Sequence, residues 1–152
     1  MGIPLDKVLH PYDQKRVVEA IAAAERLSAG EICVHVEGRC PGNDPVKRAT
    51  TLLTKLGVTR TRDRNGVLVY AAVRDRRFAV IGDVGIGEEP SSAFWAEALQ
   101  RMTVAFRRGA FGDGLCGAVK SVGLQLSKRF PRAPDDKNEV SNEITTDEST
   151  FS

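Results

Sequence analysis

No run of apolar residues in this 152-residue chain approaches the roughly 20 that a membrane span needs. The first residues lack the basic flank, apolar stretch and small-residue cleavage site of a secretory signal, so the expected location is the cytoplasm. Cysteine is scarce: Cys33, Cys40 and Cys116 form an odd set with no Cys-x-x-Cys, which argues against a disulfide framework and a structural zinc site. His10 and His35 are the two histidines, and neither has a serine or cysteine partner at a recognisable elbow. His35 is expected to be a packed or edge-strand residue. Gly82-x-x-Gly85-x-Gly87 is not the dinucleotide fingerprint, no Walker A lysine motif is present, and no loop follows the EF-hand pattern. No internal repeat is present, and no nucleophile or general acid stands out, so no catalytic residue is assigned.

What is there reads as one ordinary globular domain, 41% hydrophobic and 28% charged. The net charge of +2 is unevenly spread. From Ala133 onward six acids face Lys137 alone, a net −5, which leaves +7 on residues 1–132. A basic body with an acidic tail can mean nucleic-acid affinity with a built-in competitor. No nucleic-acid-binding motif accompanies it, and the expectation is a soluble surface, no nucleic acid, and a partly disordered end. The expected division is a lead over 1–12, an α/β domain over 13–132 and an acidic tail over 133–152, ordered to about Ile144.

The stretch from Arg64 to Asp83 sets the architecture. Val67 to Val73 is a continuous apolar run, as in a strand covered on both faces. The turn Arg74-Asp75-Arg76-Arg77 is too short for a crossover helix, so Phe78 to Asp83 returns antiparallel. Ahead of it, Asp13 is placed to cap a first helix. Val17, Ala20, Ile21, Ala24 and Leu27 form its buried face, while Lys15, Arg16, Glu19, Glu25 and Arg26 face solvent. Glu31 to Glu37 alternates as a strand. Asp44-Pro45 opens a second helix with Val46, Ala49, Leu52, Leu53 and Leu56 as its stripe. Strand, helix and strand make a right-handed βαβ unit.

Ser91 or Ser92 is expected to cap a third helix ending at Gly109, and a short link sends a fourth back antiparallel. Gly114, Gly117 and Gly123 there point either to close backbone approach or to tolerated glycine. The fold class is therefore α/β, a three-layer sandwich with a mixed sheet of at least three strands and about four helices.

Strand direction brings Gly30-Glu31, Asp63 to Gly66 and Gly82 to Gly85 to one end of the sheet. Glu31, Asp63, Asn65 and Asp83 meet there, with Glu88 and Glu89 nearby. Carboxylates and an amide oxygen on glycine-containing loops are hard ligands suited to Ca²⁺ or Mg²⁺. The competing reading is capping, turn formation and salt bridging with Arg60, Arg62 or Arg64. The opposite end gathers Arg39, Asn43 and Arg74 to Arg77, where guanidiniums beside a helix start can hold an anion, although Asp44 already caps that helix. The arginines at the two ends stand about 23 Å apart along a seven-residue strand and do not form one patch.

Asn65-Gly66-Val67-Leu68-Val69-Tyr70, Phe78 to Ile86 and Phe106-Arg107-Arg108-Gly109-Ala110-Phe111-Gly112-Asp113-Gly114-Leu115 together resemble the TPM-domain family. The opening helix with Ser28-Ala29-Gly30-Glu31-Ile32 fits the same resemblance, and the tail from Asp135 to Val140 resembles its short, soluble bacterial branch. The resemblance implies an α/β/α sandwich, divalent-cation binding at sheet-end loops and a proposed acid phosphatase activity. Some members serve in assembly or repair of membrane complexes. Asn65, Gly66, Gly82 and Gly85 match the family pattern, whereas Glu31, Asp63 and Asp83 come from strand geometry. Two functions follow as expectations: a monomeric module that binds a cation and presents a surface to a protein partner, and a metal-dependent phosphomonoesterase.

Overall fold

A computed structural model describes residues 5–7, 9–87, 93–132 and 142–147. The elements are α1 (Pro11–Glu25), β1 (Glu31–Glu37), α2 (Pro45–Lys55), β2 (Gly66–Ala72), β3 (Arg77–Gly82), α3 (Ala96–Arg107), α4 (Phe111–Arg129) and β4 (Thr145–Asp147), with short 3₁₀ turns between several of them. The sheet order is β3-β2-β1-β4. β1 runs parallel to both β2 and β4, and β3 returns antiparallel to β2. This is the mixed α/β sheet with four helices that the sequence predicts.

The period of two in β1 and β2 divides the core. Ile32, Val34, Val36, Val67, Val69 and Ala71 face α1, α3 and α4. Cys33, Leu68, Tyr70 and Ala72 face α2, with Ala49, Leu52 and Leu53 above them. Helices thus lie on both faces, and every residue of β2 is buried. Every residue of β1 is buried too, and β4 pairs with its outer edge at His35, Val36 and Glu37. The expectation of disorder past Ile144 is corrected here: Thr145, Thr146 and Asp147 form a strand. Ser91 and Ser92, the expected caps of α3, lie outside the described residues, as do Glu88, Glu89 and most of the acidic tail.

Three expectations about helices change. α1 starts at Pro11, capped by His10, whose Nδ1 accepts from Tyr12 N at 3.0 Å. Proline fits the first helical position because its missing N–H would be unpaired there. Asp13 therefore lies inside the helix. A Cβ on Gly112 would come within 2.7 Å of Asp13 Oδ1, so glycine admits that close approach of α1 to the start of α4. Leu27 follows the end of α1, out of phase with its buried face, and is exposed; Val46, in the first turn of α2, is exposed as well. Glu25 is the reverse case, a residue assigned to solvent that is only 5% exposed.

α1 and α4 run side by side in the same direction, from Asp13 at Gly112 to Ala24 at Gly123. A Cβ on Gly123 would sit 2.6 Å from Ala24 Cβ. Gly114 is similarly pressed by Phe106, while Gly117 has only ordinary contact with Arg101 at 3.4 Å. Trp95 is buried under the far end of β3, 3.3 Å from where a Cβ on Gly82 would stand. No helix among the described residues is long and apolar enough to cross a membrane.

Candidate functional site

Glu31 lies opposite Gly66 in the sheet register, and Val67 lies opposite Gly82. The starts of β1 and β2 and the finish of β3 therefore share one end. The loop before β2 and the turn after β3 are tied together by Gly85 N donating to Arg64 O at 2.7 Å and Asp83 N donating to Gly66 O at 2.9 Å. Gly85 fits against the carbonyl oxygens of Asp63 and Arg64 so closely that any Cβ would collide with them. Glycine is required at this position for that reason.

Within this frame the four expected residues differ. Asp83 is buried. It accepts from Arg64 Nε at 2.6 Å and Nη2 at 2.8 Å, and it caps the next turn by accepting from Val84 N at 2.8 Å. The salt-bridge reading thus holds for Asp83. Asp63 is half-exposed and pairs with Arg62 at 3.6 Å. Asn65 is 2% exposed; its Nδ2 donates to Ala29 O at 3.3 Å, and its Oδ1 has no hydrogen-bond partner among the described residues. Thr61 Oγ1, buried in the same loop, is in the same position. Both are buried oxygens without a hydrogen-bond partner among the described residues, and oxygen is the ligand type that a hard cation takes. Among the described residues, no group of three or more His, Cys, Asp or Glu that could hold a metal ion is found.

Glu31 has a neighbour that sequence reasoning missed. Glu25, from the end of α1, reaches the edge of β1 and accepts from Ile32 N at 3.0 Å through Oε2. Burial pushes the Glu25 carboxyl up to about 8; the Ile32 bond opposes the rise and the adjoining Glu31 carboxyl adds to it. A glutamate at the end of an amphipathic helix looks solvent-facing by period alone. Only the missing strand partner at Ile32, beyond the reach of β4, reveals why it turns inward.

The other end of β1 is built differently. Glu37, fully buried, accepts from Arg48 Nε at 2.9 Å, Arg48 Nη2 at 2.8 Å, His35 Nε2 at 3.0 Å and the Tyr70 hydroxyl. Burial alone would raise its pKa, but these bonds outweigh it and hold the carboxyl down at about 2. His35 Nδ1 lies 2.9 Å from Thr145 Oγ1, and Arg48 Nη2 also donates to Asp147 at 3.3 Å. His35 is the packed histidine that the sequence predicts. At the other candidate, the anion-binding end near Arg39, Asp44 caps α2 as the sequence predicts, and Asp75 accepts from Arg39 at 3.1 Å and from Cys40 N at 2.8 Å.

The family pattern of the TPM domain matches residues 5–125. The chain belongs to the TPM-domain family. Among solved structures, this TPM domain is similar to the BA42 protein of the psychrophilic bacterium Bizionia argentinensis, determined by NMR. That match has 34% identity and a TM-score of 0.84, and it covers 95% of this chain and 99% of that one. The N-terminal domain of cg2496 from Corynebacterium glutamicum shares the fold at 16% identity and a TM-score of 0.60, over 85% of this chain and 81% of that one. No match is found among curated proteins.

Proposed function

We propose that this TPM domain is a non-catalytic binding module that takes a divalent cation, Ca²⁺ or Mg²⁺, at the sheet end and presents the adjoining loops to a protein partner. Glu31, Asp63, Asn65 and Asp83 would hold the ion. The observation that supports the reading is Asn65 Oδ1, a buried amide oxygen without a hydrogen-bond partner among the described residues, at the sheet end where the segments carrying Glu31, Asp63 and Asp83 come together. When bound, the ion supplies the positive charge that lets those oxygens draw together. The chain's own part is to fix the loops: Gly85 against the Asp63 and Arg64 carbonyls, and Asp83 as the cap of Val84.

A Ca²⁺ titration followed by NMR tests this, run beside an aryl phosphate assay. Localised shifts at residues 30–31, 63–66 and 82–85 without turnover are expected. An absence of shifts there removes the cation. Metal-dependent turnover that disappears in Asp83→Ala replaces the module with the phosphomonoesterase.

A further inference from the structure

Asp83 already has a positive partner from its own chain. The two Arg64 bonds engage both carboxylate oxygens in a fork. The way Arg64 is held is uneven. Its backbone is pinned: φ is 50°, its amide donates to Thr61 O at 3.2 Å, and its carbonyl accepts from Gly85 N at 2.7 Å. Its side chain is 46% exposed, over a carboxylate side chain that is 2% exposed. The guanidinium is thus the outermost layer above Asp83. It can leave by a change of rotamer while the loop and the core stay in place.

We infer that Arg64 is an internal, displaceable cation on Asp83, which a divalent ion must expel before it reaches that carboxylate. This rests on the cation reading above. Arg64 and the ion require the same two oxygens, and two positive charges at that separation repel. The exchange also changes the surface. With Arg64 seated, the loop presents a closed ion pair. With Arg64 expelled, it presents a planar five-donor group beside the site, suited to a carboxylate or phosphate on whatever docks there.

Ca²⁺ titration of the full-length wild type, Arg64→Gln and Arg64→Lys, by calorimetry and by spectra that include the arginine Nε–H signals, tests the exchange. Arg64→Gln should bind Ca²⁺ about tenfold tighter than wild type, with Arg64→Lys between them, because the fork and then the charge are removed. In wild type the Arg64 Nε–H signal should move as Ca²⁺ saturates. If wild type binds at residues 63–66 and 82–85 while neither variant binds tighter, or the Nε–H signal stays in place, the exchange is refuted and the cation site stands. If none of the three binds Ca²⁺, both fall. Should Arg64→Gln fail to fold, Arg64→Lys carries the same sign.

Discussion

The two ends of β1 each bury a glutamate, and they treat it in opposite ways. Glu37 accepts four hydrogen bonds, two of them from a guanidinium, and its charge is favoured. Glu31 adjoins a second carboxyl, Glu25, whose charge is disfavoured, and the loop beside it carries two buried oxygens without a hydrogen-bond partner among the described residues. A closed network of this kind fixes structure, tying α2, β1, β2 and β4 together. A partly satisfied one leaves donors for something else. The difference teaches where to look for function: at the end where the polar groups are incompletely paired.

The largest effect expected from breaking this contrast is at the Glu37 end. Arg48→Met leaves a buried carboxylate without its main counter-charge, and urea denaturation should show a loss of about 3–5 kcal/mol. Next comes pH, where the two ends carry opposite signs. The folded pKa of Glu25 is raised, so the folded state binds the extra proton between the unfolded value and about 8. Stability from this group therefore falls as pH rises through that window, and Glu25→Gln should flatten the profile. The folded pKa of Glu37 is lowered, so its contribution is present above the unfolded value and lost as pH falls toward about 2. Stability that rises between pH 5 and 8 in wild type, with no change in Glu25→Gln, would remove the contrast.

Smaller effects sharpen it. Thr145→Val removes the hydroxyl beside His35 and should cost about 1 kcal/mol, with faster amide exchange confined to β4 and its neighbours on β1. Asn65→Ala removes an oxygen without a partner among the described residues and one long hydrogen bond, so the expected cost is below about 1 kcal/mol. That variant should nevertheless weaken Ca²⁺ binding. A large stability loss with unchanged binding would mean Asn65 serves the fold alone.

Much of the architecture was legible in the order of residues. The unbroken apolar run of β2, the four-residue turn to β3 and the Asp44-Pro45 helix start are local signals, and each is realised. Asp44 Oδ1 accepts from Lys47 N as a cap should. That the segments carrying Glu31, Asp63, Asn65 and Asp83 share one end of the sheet followed from strand direction. What stayed hidden depends on distant or side-chain choices. Thr145 to Asp147 is too short to show a period, and it docks on residues 110 positions earlier. Glu25 turns inward to satisfy an N–H on another element. Arg64 was one of three candidates for a salt bridge, and only its rotamer reveals that it holds Asp83.

Trp95, the chain's single tryptophan, is packed against Gly82, one residue before Asp83. Its indole nitrogen is buried without a hydrogen-bond partner among the described residues, so its emission should respond to slight movement nearby. The protein thus comes with its own optical gauge, in the right place to report what happens to the turn after β3 with no label attached.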